Sequence, residues 1–135
     1  MARILIVDDQ KFVRNLLRES LEKLGHEAYV SPDGEHALET LQGREEFDLL
    51  ITDMVMPKMN GHQLIDAVRK QEELADIPII IMSGRTSMAE VDKLLKAGAL
   101  AFLSKPVSLE VLAGYVNSIV KTRPADSKKQ LLNAI

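Results

Sequence analysis

Residues 47–57 read FDLLITDMVMP, a short apolar run that stops at Asp53 and passes into a loop containing proline. A continuous apolar run of this length is typical of a strand that is buried on both faces of a parallel sheet. After the loop, Asn60 can cap a helix whose apolar stripe lies within residues 64–68. This stretch therefore predicts a β-strand, a loop and an α-helix in succession.

The same strand-and-helix unit recurs on both sides of this stretch, giving five units in all. The strands are predicted at residues 4–7, 27–30, 47–52, 77–82 and 100–103. Gly25 and Gly98 are suited to end the first and fourth helices, and Ser87 and Ser108 to cap the fourth and fifth. Helix positions predicted to face the core include Leu16, Leu24, Met88, Leu95 and Leu109. The alternation predicts an α/β fold with a parallel sheet covered by helices on both faces.

The composition is that of one ordinary globular domain. The 135 residues are 46% hydrophobic and 27% charged, with a formal net charge of -3. These values argue against a disordered chain and against direct nucleic-acid binding. Cysteine is absent, which excludes disulfides and thiolate metal sites, and the first apolar run is too short for a signal peptide or a membrane span. We expect a cytoplasmic domain over residues 1–121 and a tail or linker stub over residues 122–135.

Polar side chains follow four of the five predicted strands. Asp8 and Asp9 follow the first, Asp53 the third, Ser83 the fourth and Lys105 the fifth. Ligands of open α/β sheets bind at this carboxyl edge. Each residue alone is more simply a cap, a turn residue or a solvated lysine. Together, three carboxylates facing an ammonium predict a site for Mg²⁺ and a phosphoryl group.

The sequence at these strand ends closely resembles response-regulator receiver domains, and the resemblance extends over residues 3–121. It is carried by Ile-Val-Asp-Asp at 6–9, Asp-Met-Val-Met-Pro at 53–57, Met-Ser-Gly at 82–84 and Ser-Lys-Pro at 104–106. Any one motif is weak evidence, whereas four in order are specific. The resemblance implies a flavodoxin-like, doubly wound sheet of five parallel strands in the order 2-1-3-4-5 with five helices.

The resemblance also implies a metal site and its chemistry. Asp53 is expected to be the phosphoacceptor. Asp9, Asp53 and the backbone carbonyl of Val55 are expected to bind Mg²⁺, or Mn²⁺ as an alternative, with Asp8 acting through water. The expected donor is a sensor histidine kinase or a phosphotransfer protein. The domain is expected to be no enzyme apart from its own phosphorylation and dephosphorylation.

Further residues take roles by the same resemblance. Ser83 and Lys105 are expected to bind phosphoryl oxygens, and the peptide bond before Pro106 is expected to be cis. Ser83 and the aromatic Phe102 are expected to form the switch, although Phe102 is equally well explained as core packing. The fourth helix, fifth strand and fifth helix would then act on an output protein or domain, or form a homodimer when phosphorylated. No membrane partner is expected.

By the same resemblance, two positions are expected to set the lifetime of the phosphoryl group. Val55 lies two residues after Asp53 and cannot position an attacking water, while Arg85 lies two residues after Ser83 and is suited to shield the group. This pair predicts slow self-dephosphorylation.

Three alternatives stay open at this point. A haloacid-dehalogenase-like phosphatase also uses a strand-end aspartate with Mg²⁺, but it needs a second aspartate where this chain has Val55. A nucleotide-binding module would need a glycine-rich phosphate loop, and no such loop follows any predicted strand. A receiver that works without phosphorylation usually lacks a site residue, and here every site residue is present. The kinase, the output and the oligomeric state are not encoded in any recognisable pattern.

Overall fold

The computed structural model describes residues 1–84 and 86–122. Its strands are β1 (Arg3–Val7), β2 (Glu27–Ser31), β3 (Leu49–Asp53), β4 (Ile79–Ser83) and β5 (Ala101–Ser104). Its α-helices are α1 (Lys11–Lys23), α2 (Gly34–Leu41), α3 (Gly61–Lys70), α4 (Met88–Lys96) and α5 (Leu109–Thr122), and a 3₁₀ helix spans Glu72–Leu74. Arg85 and the predicted tail after Thr122 lie outside the described residues.

The five strands form one parallel sheet in the order β2-β1-β3-β4-β5. The predicted fold class and strand order are therefore confirmed. The register aligns the carboxyl ends of the strands: Val7 of β1 is paired with Thr52 of β3, and Asp53 of β3 is paired with Met82 of β4. Because of this register, the residues that follow β1, β3, β4 and β5 emerge at the same edge.

Alternate strand residues supply two separate hydrophobic cores, one on each face of the sheet. Ile4 and Ile6 pack on the face covered by α1 and α5, whereas Leu5 and Val7 pack on the face covered by α2, α3 and α4. Every residue of β3 is buried. A strand covered on both faces has no solvated side, which explains the apolar residues at 49–51 before Thr52 and Asp53.

Helices α2, α3 and α4 begin where the sequence offers a cap. Asn60 accepts a hydrogen bond from the backbone of Gln63, whose side chain accepts one in return from the Asn60 backbone. The side-chain oxygens of Asp33 and Ser87 each accept a backbone hydrogen bond from the first turn of α2 and α4, respectively. None of the helices described here is both long and apolar enough to cross a bilayer.

The apolar faces of three helices differ from the prediction at their edges. Leu16, Leu24, Met88, Leu95 and Leu109 were expected in the core and are exposed. In α4 the buried side chain is Leu94 instead. Adjacent leucines differ by about 100° around a helix, so one of the two must face away from the sheet.

Arg69 ties α3 to the turn that precedes β5. Its guanidinium donates hydrogen bonds to the backbone carbonyl oxygens of Ala75, at 2.9 Å, and Gly98, at 2.6 Å. Gly98 has a φ of +115°, and a Cβ atom there would lie 2.6 Å from Arg69 Nε. Burial lowers the pKa of the Arg69 guanidinium, and Asp76 acts in the opposite direction.

Replacing Arg69 with methionine should destabilise the fold, because the side-chain stem is kept while these carbonyl groups lose their donor. We expect Arg69→Met to lower the free energy of unfolding by about 1–3 kcal/mol, measured by urea denaturation. The control Arg44→Met changes an exposed arginine and should stay within about 0.5 kcal/mol of the wild type. Equal stability of the two variants would contradict the role given to Arg69.

Candidate functional site

Three aspartates meet at the carboxyl edge of the sheet. Asp8 and Asp9 follow β1, and Asp53 ends β3, the neighbouring strand. One carboxylate oxygen from each lies within 4.8 Å of the other two. Asp8 is completely buried, Asp53 is 7% exposed and Asp9 is exposed. The structure therefore brings together the three acidic residues that the sequence predicted to converge.

The ammonium group of Lys105 lies between two of these carboxylates. Lys105 Nζ is 2.7 Å from Asp8 Oδ2 and 3.1 Å from Asp53 Oδ2. The Lys105 backbone N–H also donates to the Ser83 carbonyl oxygen at 2.9 Å, which joins the end of β5 to that of β4. Four of the five strands thus contribute to one site.

Burial and charge shift two pKa values in this site. Burial raises the pKa of Asp53, and the charge of Asp8 adds to this, while hydrogen bonds from Lys105 and the Val55 backbone act in the opposite direction. For Lys105, burial disfavours the ammonium, but hydrogen bonds to Asp8 and Asp53 outweigh it and raise the pKa. Lys105 therefore stays positively charged beside the carboxylates.

Ser83 is buried at the end of β4. Its hydroxyl oxygen accepts a hydrogen bond of 2.6 Å from the Thr86 hydroxyl. Thr86 was not among the residues predicted to form the site. Its position three residues after Ser83, in the same loop, was the available signal.

Two further residues that the sequence analysis missed hold Asp8 in place. The backbone N–H of Gln10 donates to Asp8 Oδ1 at 2.8 Å, and Arg14 Nη1 donates to the Asp8 carbonyl oxygen at 2.8 Å. Gln10 is the residue immediately before α1, so the start of that helix fixes one oxygen of the carboxylate. The spacing of Arg14, one turn into α1, gave only a weak signal.

The loop after β3 carries Val55, whose side chain is 71% exposed. The loop is held at its start, because the Met54 backbone N–H donates to the Met82 carbonyl oxygen at 2.9 Å. It is held at its end as well, where the Gly61 backbone N–H donates to the Met54 carbonyl oxygen at 2.8 Å. The backbone next to Asp53 is thereby fixed from two sides.

The turn before α2 supports the same loop from a third direction. A Cβ atom on Gly34 would lie 2.6 Å from the Met59 carbonyl oxygen and 2.8 Å from Met59 Cβ. Asp33, which precedes it, is 3.8 Å from the Lys58 ammonium, and Lys58 has a φ of +67°. Only a glycine allows the two loops to approach this closely.

Phe102 and Pro106 are the remaining predicted site residues within the described part of the chain. Phe102 is partly buried in β5, is paired with Ile81 and packs on the face of the sheet covered by α3 and α4. The peptide bond between Lys105 and Pro106 is cis. Arg85 lies outside the described residues.

The residues present fit a divalent cation bound by oxygen ligands. Asp8, Asp9 and Asp53 carry three negative charges when ionised, and Lys105 carries one positive charge, which leaves an excess of two negative charges. All the side-chain donors of the cluster are carboxylate oxygens, the ligands that Mg²⁺ and Mn²⁺ prefer over nitrogen or sulfur. Imidazole or thiolate ligands, which would favour zinc, are not part of this cluster.

The chain belongs to the response regulator receiver domain family, whose model matches residues 4–117. Among its relatives, the chemotaxis protein CheY homologue of Campylobacter jejuni is 34% identical over 121 residues, 89% of this chain and 93% of that protein. Response regulator MprA of Mycobacterium leprae is 35% identical over 130 residues, 96% of this chain and 56% of MprA. The solved structure of the chemotaxis response regulator CheY4 of Vibrio cholerae matches with a TM-score of 0.81 and 32% identity, covering 88% of this chain and 98% of that one.

Membership of this family defines the class of protein. The chain contains a receiver domain of two-component signalling, which is a signalling domain and not a classical enzyme. The phosphatase and the nucleotide-binding module considered above are therefore not supported. Receiver domains generally use Mg²⁺ at an acidic pocket, and an acidic group of this kind is present here.

Two glycine-to-alanine substitutions should distinguish two effects on stability: the steric clash of a Cβ atom at position 34 with Met59, and the higher helix propensity of alanine. Gly34→Ala forces Met59 to move and should lower the free energy of unfolding by about 1–3 kcal/mol, as overpacking does. Gly114→Ala, in α5 where a Cβ atom would meet nothing within 4 Å, should instead raise it by about 0.5–1 kcal/mol. Thermal or urea unfolding measures both, and a stabilised Gly34→Ala variant would contradict the tight contact.

Proposed function

We propose that this receiver is a phosphorylation-dependent switch in which a sensor histidine kinase or a phosphotransfer protein donates a phosphoryl group to Asp53 in a Mg²⁺-dependent reaction. The observation that carries the proposal is the position of Asp53, 3.1 Å from the Lys105 ammonium and within 4.8 Å of two other carboxylates. A carboxylate acceptor needs positive charge beside the transferring group, and this site provides it.

Among the three aspartates, Asp53 is the best suited to accept the group. Asp8 is completely buried, and both of its oxygens already accept hydrogen bonds, from Lys105 and from the Gln10 backbone. Asp9 is exposed, in a poorer setting for electrostatic stabilisation. Asp53 combines contact with Lys105 with a small opening to solvent.

In the proposed reaction, one Asp53 carboxylate oxygen attacks the phosphorus of a phosphohistidine. The new oxygen–phosphorus bond forms as the phosphorus–nitrogen bond breaks, and the departing imidazole takes up a proton. Lys105 neutralises charge on the phosphoryl oxygens, and Ser83 donates a hydrogen bond to one of them. Asp9, Asp53 and the Val55 carbonyl would hold Mg²⁺, with Asp8 acting through water. When bound, the ion supplies further positive charge next to the transferring group.

The response is proposed to pass from Ser83 to the surface formed by α4, β5 and α5. The phosphoryl group carries about two negative charges in place of the single charge of the Asp53 carboxylate, and its oxygens attract the Ser83 hydroxyl away from Thr86. Phe102 lies on the strand next to β4 and is only partly buried, so its ring has room to respond. Met88 on α4 and Tyr115 on α5 are exposed apolar residues suited to an output partner or to a second copy. A cytoplasmic location and a domain boundary at residue 121 stay predictions.

Phosphorylation with a small donor tests the acceptor. Incubating the full chain with acetyl phosphate and Mg²⁺ should add one phosphoryl group by intact-mass spectrometry, and EDTA should prevent the addition. Asp53→Asn removes the nucleophile and should abolish it. The matched control Asp48→Asn changes a carboxylate near the opposite end of β3 and should still be phosphorylated.

Each of the competing functions gives a different result in this experiment. An unmodified wild type would reject the phosphorylation-dependent switch and favour a receiver that works without phosphorylation. Rapid multiple turnover of phosphate esters would favour a phosphatase. Modification of Asp53→Asn at the wild-type rate would assign the acceptor to another residue.

The lifetime of the phosphoryl group tests the role proposed for Val55. Val55→Asn places a polar side chain at an exposed position two residues after the acceptor, where it can orient water. We expect dephosphorylation to accelerate by about two- to tenfold, which is up to about 1.4 kcal/mol in the barrier. Val111→Asn, on α5, is the control for a polar change at an exposed valine. A wild-type half-life of seconds in Mg²⁺ buffer would contradict the slow dephosphorylation.

A further inference from the structure

A cleft of about 900 Å³ opens at the amino edge of the sheet, opposite the aspartate site. It lies among the segment after α2, the 3₁₀ helix and the turn before β5. Its floor is apolar: Phe47, Leu74 and Pro78 are partly exposed, and Leu100 is 52% exposed. These side chains give one concave site several apolar lining groups, a setting suited to a ligand with apolar groups.

The rim of this cleft is acidic. Exposed lining residues with negative side chains are Glu45, Glu46, Glu72, Glu73 and Asp76. The lining contains two basic residues, Arg44 and Arg69, and the Arg69 guanidinium is committed to backbone carbonyl groups. The cleft is therefore suited to a segment that combines positive charge with apolar side chains.

The chain itself supplies such a segment after the described part of α5. Ile119 of α5 lines the cleft, and Thr122 is the last described residue of that helix. Residues 123–135 read RPADSKKQLLNAI, with three basic residues, one acidic residue, and leucines immediately after the two lysines and a glutamine. The basic side chains of this segment complement the acidic rim of the cleft, and its leucines complement the apolar floor.

We propose that residues 123–135 bind in this cleft of the same molecule. Lys128 and Lys129 face the acidic rim, and Leu131 and Leu132 cover the apolar floor. The segment is long enough, since the six steps from Thr122 to Lys128 span up to roughly 20 Å, about twice the edge of a cube of the cleft's volume. The inference is independent of phosphorylation at the opposite edge, so the two can fail separately.

Spin labelling of the full chain tests this inference, because a chain without native cysteine accepts one engineered label site. Asn133→Cys carrying a nitroxide should cause loss of the amide cross-peaks of Leu74 and Leu100. The amide cross-peaks of Gln10 and Gly84, at the carboxyl edge, should keep their intensity. Equal intensity at both edges would overturn the proposal.

Charge reversal supplies the second arm of the experiment. Glu72→Lys with Glu73→Lys, both exposed, should restore the cleft signals in the spin-labelled protein. Adding Lys128→Glu and Lys129→Glu to the same chain should bring the signal loss back. Signal loss that no charge reversal alters would overturn the proposed pairing. Unchanged Gln10 and Gly84 chemical shifts confirm that each variant is folded.

A mixture of two samples identifies the occupant. Spin-labelled protein without ¹⁵N is mixed with unlabelled ¹⁵N protein, so any loss of signal arises between molecules. No loss in this mixture, together with loss in the labelled ¹⁵N chain, supports binding within one molecule. Loss of the Leu74 and Leu100 signals in the mixture would show that a second copy fills the cleft and would overturn the proposal.

Discussion

The ammonium of Lys105, placed between the carboxylates of Asp8 and Asp53, is the interaction on which the site depends. The two buried carboxylates have oxygens within 4.8 Å of each other. Without Lys105 they would repel each other, which would favour protonation of one of them. Lys105 offsets that repulsion only in part, because Asp9 adds a third charge. The cluster therefore keeps an excess of negative charge, with two of its carboxylates, those of Asp8 and Asp53, buried. This excess favours the binding of a divalent cation at the carboxyl edge.

The sheet provides this geometry through its register and not through the loops alone. β1 and β3 are neighbours, so Asp8 and Asp53 emerge side by side, and β4 and β5 bring Ser83 and Lys105 to the same level. Alternate strand residues pack into two different cores, and a slip of register by one residue would move each side chain into the wrong core. The core therefore maintains the site, although no core side chain has to touch it.

The residues that make the edge polar are visible in the sequence, because the end of an apolar run is a local signal. The residues that hold those groups are marked by no motif, whether they are near in sequence or far from the residue they contact. Thr86 reaches Ser83 across a loop, and Gly34 supports Met59 from a different part of the chain. The helix faces were predicted least well in α4, where the neighbouring residues Leu94 and Leu95 satisfy the same apolar pattern and only packing against the sheet selects Leu94.

The unequal attachment of the two ends of α4 has a mechanical consequence. The turn that follows its last residues is tied to α3 through Arg69 and Gly98, and the buried Leu94 lies near that end. The first turn, with exposed Met88, adjoins the loop that holds Thr86 against Ser83. A helix that is held at its last turn tilts when its first turn is displaced. If Ser83 shifts as proposed, the start of α4 would be displaced more than its end near Leu94, where Arg69 holds the turn that follows.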